Sequence, residues 1–144
     1  MAALCVAVIS KDNYPLFVKT VLPDSDLKFH YLVHTSLDVV EEKTSTLSEH
    51  ARGASERREL YLGQLYPSEE YKIYGYMTNT KVKFILIVEN RNSYAKDTEM
   101  KSLFKKLHLA YYGLLLNPFY TPGHQIQSKK FDQTVASLMQ QASR

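Results

Sequence analysis

The sequence predicts an α+β domain built on an antiparallel sheet that has helices on both faces. Residues 82–88 are apolar except for Lys83 and include several β-branched residues, which favours a strand buried on both sides. Residues 2–10 form a second near-continuous apolar run. Three longer segments carry apolar residues at helical spacing and can cover the sheet. We therefore expect the two apolar strands to be neighbours at its centre.

Three further strands complete the five-stranded sheet that we predict. They lie at residues 16–20, 60–66 and 73–78. The first of them follows a turn-rich cluster at 11–15, so it should form a hairpin with the N-terminal strand. The last of them is joined to the strand at 82–88 by a short connection. The predicted order is ββαβββαα, with one helix on one face of the sheet and two on the other.

The first helix is predicted from about residue 26 to residue 44, after an N-cap at Asp24 or Ser25. Its core-facing stripe consists of Phe29, Leu32, Val33, Ser36, Leu37, Val40 and, if the helix continues, Leu47. Residues 46–59 are charged and rich in small side chains, which predicts a mobile loop. We expect residues 1–144 to form a single domain.

The opposite face of this helix mixes large apolar groups with carboxylates. It carries Leu27, Tyr31, Thr35, Asp38 and Glu42. Scattered apolar residues are normal on protein surfaces, so this pattern by itself does not establish a binding face. A surface for a protein partner is the second interpretation of the same residues.

Two more helices are predicted in the C-terminal third of the chain. One runs from about 97 to 116 and has a stripe of Met100, Leu103, Phe104, Leu107, Tyr111 and Leu114. It should cover the sheet face opposite the first helix. The last begins after Ser128 and has a stripe of Phe131, Val135, Leu138 and Met139.

Between these helices, residues 117–120 spell N-P-x-Y, which serves as an internalisation signal in the flexible tails of receptors. Here the tetrapeptide lies between two amphipathic helices. We interpret it as a turn that ends the second helix, with Phe119 and Tyr120 packed on the domain.

Composition and motifs argue against several classes of function. The formal charge of +3 is too small, and the lysine clusters too modest, to predict nucleic-acid binding. The single Cys5 favours a reducing compartment, and the apolar runs are too short for a signal peptide or a membrane span. His30 and His34 have the spacing of metal ligands, but a third ligand is missing. Glycine-rich phosphate loops, nucleophile elbows and C-x-x-C pairs are also missing, so we predict neither enzyme activity nor a cofactor.

The predicted order of elements is similar to the longin, or SNARE-like, fold. The D-N-x-P turn at 12–15, the helix segment FHYLVHTSLDVVEEK at 29–43 and the segment from 117 to 132 closely resemble sedlin-type subunits of the transport protein particle (TRAPP) complex. Residues 58–89 resemble one paralogue within that family. The resemblance covers essentially the whole chain and departs mainly at 46–56.

The resemblance implies a non-catalytic subunit of a vesicle tether that acts between endoplasmic reticulum and Golgi and within the Golgi. The implied partners are mixed α/β core subunits and large accessory subunits, and the whole assembly is the nucleotide-exchange factor for Rab-type GTPases. The implied location is cytoplasmic, peripheral to both organelles and perinuclear, without direct membrane insertion. Asp38 matches an acidic residue of the family that is important for partner contact. This favours a partner surface formed by Leu27, Tyr31, Asp38 and Glu42.

Two alternatives remain open at this point. The chain could be a longin-type small subunit of another trafficking machine, such as a clathrin adaptor. It could also be an enzyme or a small-ligand binder, which would need a polar, concave site that the sequence does not reveal.

Overall fold

The computed structural model describes residues 3–20, 26–50, 60–67, 71–78, 81–89, 97–120, 125–126 and 129–142. Its elements in chain order are β1 (Ala3–Ile9), β2 (Pro15–Thr20), α1 (Asp26–His50), β3 (Leu60–Pro67), β4 (Tyr71–Met77), β5 (Lys83–Glu89), α2 (Asp97–Leu115) and α3 (Lys129–Ala142). The predicted α+β class with an antiparallel sheet is confirmed.

The two most apolar strands lie side by side in the interior of the sheet. The strand order is β2-β1-β5-β4-β3, and every neighbouring pair is antiparallel. In the β1–β5 pair, Val6 lies opposite Leu86 and Ala7 lies opposite Ile85. β5 is the central strand, which is where its two apolar faces can both be covered.

Alternate residues of β5 point into two separate cores. Phe84, Leu86 and Val88 belong to a core with α2 and α3, which we call the α2/α3 core. Ile85 and Ile87 belong to a core with α1, which we call the α1 core. This alternation follows from the two-residue repeat of a strand. The prediction that helices cover both faces of this strand is therefore confirmed.

The first helix is longer than predicted. α1 continues to His50, so the prediction of a loop from 46 onward is wrong for residues 46–50, and residues 51–59 lie outside the described part of the chain. The extra turn contains Ser and Thr, which cost a helix only a few tenths of a kcal/mol each relative to better helix formers. The first glycine after Asp26 is Gly53, so nothing in residues 46–50 strongly breaks a helix.

Buried side chains of α1 and α2 match the predicted stripes. In α1, Phe29 and Val40 are fully buried, and the predicted stripe is buried as far as Val40. In α2, Phe104 stacks on Tyr76 of β4, with ring centroids 5.5 Å apart and planes 13° from parallel. Leu103 is only half-buried, whereas the rest of its stripe is buried.

β4 and β3 approach each other closely at Gly75. A Cβ atom at this position would lie 2.6 Å from Cδ1 and 3.0 Å from Cγ of Leu65, which is buried in the α1 core. Gly75 therefore leaves the space that the Leu65 side chain occupies.

Candidate protein-interaction surface

The structure places all four candidate partner-binding residues on the outer side of α1. Leu27 is 86% exposed and Tyr31 is 70% exposed, and Asp38 and Glu42 are exposed as well. Because an α-helix turns about 100° and advances about 1.5 Å per residue, the four lie in a strip about 60° wide and about 22 Å long. We call this strip the α1 surface. It is apolar toward its N-terminal end and acidic toward its C-terminal end.

Two neighbours change the composition of this strip. Thr35 is half-buried. Its hydroxyl donates a hydrogen bond to the Tyr31 carbonyl at 2.9 Å, so the hydroxyl is already bonded within the helix. His34 is exposed and lies between Tyr31 and Asp38 on the same strip. The helical spacing of the sequence already places His34 on this side of α1.

Aromatic contacts hold the N-terminal half of α1 on the sheet. The Phe29 ring meets the Tyr71 ring of β4 edge-on, with centroids 5.6 Å apart. Lys28 Nζ lies 4.8 Å from the centroid of the same Tyr71 ring. Leu27 and Tyr31 are thus presented by a helix segment whose inner side is anchored.

A polar cluster holds the C-terminal half of α1. Asn13 Nδ2 donates a hydrogen bond to Glu41 Oε1 at 2.7 Å, and Lys83 Nζ of β5 donates to Asn13 Oδ1. Asn13 has a φ of 68°, a conformation that Asn tolerates better than most residues. One side chain in the β1–β2 turn therefore joins α1 to the central strand. We call Asn13, Glu41 and Lys83 the polar clamp.

The electrostatics of the polar clamp indicate a structural role. Burial lowers the pKa of Lys83, while the carboxylates of Glu41 and Asp12 act in the opposite direction. Lys83 is 6% exposed, and a buried ammonium group is costly unless it is paired and hydrogen-bonded. The sequence marked Lys83 only as an interruption of an apolar strand and Asn13 only as part of a turn. The clamp went unrecognised because its members meet only in three dimensions.

Among the described residues, no group of three His, Cys, Asp or Glu side chains could hold a metal ion. Two buried hydroxyl groups are hydrogen-bonded to the backbone. Ser36 Oγ donates to the Leu32 carbonyl at 2.7 Å, and Thr78 Oγ1 accepts from the Val82 N–H at 3.1 Å. Across the described helices, none is both long and apolar enough to cross a membrane.

An apolar cavity of about 20 Å³ lies between the sheet and the last two helices. Its walls come from Val6, Leu86, Leu103, Phe104, Leu107, Val135, Leu138 and Met139. A space of this size holds roughly one water molecule and the walls offer it no polar partner, so the cavity is a packing feature of the α2/α3 core.

The N-P-x-Y segment forms the predicted turn, but only one of its aromatic residues packs inward. Asn117 Oδ1 accepts a hydrogen bond from the Phe119 N–H at 3.0 Å, and the Tyr120 N–H donates to the Asn117 carbonyl at 3.1 Å. Tyr120 contacts the α2/α3 core, whereas Phe119 is 96% exposed. The prediction that Phe119 packs on the domain is wrong, because this tight turn directs consecutive side chains to different sides.

Comparison with known proteins identifies the family of the chain. A sequence model of the family described as Sedlin matches residues 8–141. The trafficking protein particle complex subunit 2-like protein of Bos taurus is 53% identical over 137 residues, which cover 95% of this chain and 96% of the relative. The protein of the same name from Dictyostelium discoideum is 42% identical over 142 residues, 94% of this chain and 95% of the relative. The chain belongs to the sedlin family.

Proposed function

We propose that this chain is a non-catalytic subunit of a TRAPP vesicle-tethering complex, in which it binds neighbouring subunits through the α1 surface. The names of its relatives support membership of such a complex, because similarity extends over nearly the whole of both chains. The single structural observation that carries the binding role is the exposure of Leu27 and Tyr31, at 86% and 70%, beside the carboxylates of Asp38 and Glu42. Large exposed apolar groups next to charges are typical of protein interfaces.

The finer parts of the proposal follow from the family resemblance. The complex would act in transport from endoplasmic reticulum to Golgi and within the Golgi, with the chain cytoplasmic and peripheral to those membranes. Nucleotide exchange on a Rab-type GTPase would belong to the assembly, so the link between this chain and the GTPase would be indirect. We also assign the sheet, with its helix on one face and two on the other, to the longin fold.

The proposal is tested by replacing Asp38 with tyrosine. Asp38→Tyr should melt like the wild type, because Asp38 is exposed and lies off the buried stripe of α1. It should bind purified TRAPP subunits at least about tenfold more weakly in titration calorimetry, since it removes a charge and adds bulk in the acidic part of the strip. Glu99→Tyr is the matched control, because Glu99 is an exposed carboxylate on α2.

Two results would contradict the proposal. If Asp38→Tyr binds as tightly as the wild type, the α1 surface is not the contact. If native mass spectrometry of the purified assembly finds clathrin-adaptor chains and no TRAPP chains, the chain serves a different trafficking machine. A variant that unfolds would contradict the placement of Asp38 off the core.

A further inference from the structure

A second apolar stripe runs along the outer side of α2, away from the sheet. Leu109, Tyr112 and Leu116 are 71%, 56% and 69% exposed, and Phe119 in the following turn is 96% exposed. The spacing of three and four residues keeps Leu109, Tyr112 and Leu116 on one side of the helix. The core-facing stripe of α2 is a separate set of residues and is buried, so these four contribute little to the fold.

A glycine stands in the middle of this outer stripe. A Cβ atom at Gly113 would meet nothing within 4 Å, so packing within the described domain does not require a glycine there. Glycine inside a helix costs about 1 kcal/mol relative to alanine. On an exposed helix face, the missing side chain leaves a notch between Leu109, Tyr112 and Leu116. Such a notch lets the backbone of another helix approach closely.

Beyond the exposed Glu99 in its first turn, the charged side chains of α2 are all lysines. Lys101, Lys105 and Lys106 are exposed in its N-terminal half, about two turns before the middle of the apolar stripe. The sequence from Met100 to Tyr120 contains no Asp or Glu. The outer face is therefore basic at one end and apolar at the other.

We propose that this outer face of α2 is a docking site for an amphipathic helix of a partner protein. The partner helix would carry an apolar stripe that packs on Leu109, Tyr112 and Leu116. Two to three turns farther along its axis, it would carry carboxylates that face the lysines of α2. The site goes beyond the proposed α1 surface and lies on the opposite face of the sheet.

The charges and shape of this face favour such a helix over two other occupants. The same face of a second copy matches the lysines less well, since residues 100–120 contain no carboxylate and the exposed Glu99 lies about four turns before the middle of the apolar stripe. A membrane surface fits less well, because the lysines stand at one end of the stripe instead of around it, and a fluid surface gains nothing from the notch at Gly113.

Titration calorimetry of the full chain with synthetic helices tests the proposal. The probe is a peptide of about 18 residues with leucines along one stripe and glutamates over its last two turns. One control peptide has lysines in place of the glutamates, and a second has the same composition in scrambled order. Only the first should bind, and its affinity should fall as salt rises from about 0.05 M to about 0.3 M.

Variants of the chain test whether the acidic peptide binds at the outer face of α2. Leu116→Asp and Gly113→Leu should each weaken binding of the acidic peptide at least about tenfold, the second by filling the notch. Gly113→Ala should fold normally and melt at a higher temperature than the wild type. Gln133→Asp, an exposed site on α3, is the matched control and should bind as the wild type does.

Five outcomes would overturn the proposal. The acidic peptide could fail to bind, or all three peptides could bind equally. Leu116→Asp and Gly113→Leu could retain wild-type affinity. Vesicles of phosphatidylcholine and phosphatidylserine, mixed at about 4:1, could bind the chain through Leu116 while the peptide does not. Sedimentation could show self-association that Leu116→Asp abolishes, which would make the occupant a second copy.

Discussion

The outer faces of α1 and α2 both expose large apolar side chains, and they differ in charge. Each helix buries one apolar stripe and exposes a second, with Leu27 and Tyr31 on α1 and Leu109 and Leu116 on α2. The apolar residues of α1 are followed by carboxylates, whereas those of α2 are preceded by lysines. Exposed apolar groups of similar size can therefore select different partners, because charge complementarity favours one partner and repels another.

The two helices also differ in how the sheet holds them. The C-terminal half of α1 is joined to the sheet by the polar clamp, whose hydrogen bonds involve charged groups. α2 contacts the sheet through aromatic rings. Phe104 stacks on Tyr76, and Tyr111 meets Phe84 edge-on, with ring centroids 5.8 Å apart. Substitutions on the inner side of either helix should affect folding, and those on the outer side should affect binding alone.

The largest effect is expected from a matched pair on α2. Phe104→Asp should lower the free energy of unfolding by several kcal/mol, because Phe104 is 1% exposed and a carboxylate there would be buried without a partner. Leu109→Asp places the same charge on the outer side and should change stability by less than about 0.5 kcal/mol. Urea denaturation of both variants measures the difference. Equal destabilisation would show that the two sides of α2 are not distinct.

An intermediate effect is expected from opening the polar clamp. Asn13→Ala should destabilise the domain by about 2 kcal/mol, because it leaves Lys83 without its acceptor and forces a positive φ on alanine. Asn13→Gly also removes the hydrogen bonds but tolerates the φ of 68°, so it should lose less. Chemical denaturation measures both losses. Wild-type stability in Asn13→Ala would mean that α1 is held by its apolar stripe alone.

The smallest effect is expected at high pH, at the end of α2. Burial, together with the interaction with Tyr111, raises the pKa of Tyr120 from the ordinary value of 10.0 to about 12. The Tyr111 pKa is also raised, chiefly by burial. A raised tyrosine pKa contributes stability that is complete below about pH 10 and is lost as pH rises through the folded pKa. The lowered pKa of Lys83 changes stability in the opposite direction over alkaline pH.

Comparison of the wild type with Tyr120→Phe isolates the tyrosine contribution, because both proteins contain Lys83. Melting temperatures from about pH 9 to about pH 12 should fall more steeply in the wild type than in Tyr120→Phe. Parallel curves would show that the Tyr120 hydroxyl has the same pKa in the folded and unfolded chains.

Much of the fold could be predicted from the pattern of apolar residues. Residues 82–88 are apolar on both faces of a strand, which correctly predicted their position at the centre of the sheet. The helical stripes identified which sides of α1, α2 and α3 are buried. The end of α1 was predicted too early, because Ser and Thr weaken a helix without ending it. The exposure of Phe119 was missed, because the direction of a side chain in a tight turn depends on its hydrogen bonds.

The sequence by itself determined which helix sides face the core and which residues of α1 are left outside. This is possible because helical spacing is local and can be counted along the chain. Only the tertiary structure brought Asn13 to Glu41 and Lys83, which are 28 and 70 residues away in sequence. It also showed that Phe119, in the turn after α2, is exposed. Such features depend on which distant segments the packed sheet brings together, and the spacing of residues along one element cannot specify that.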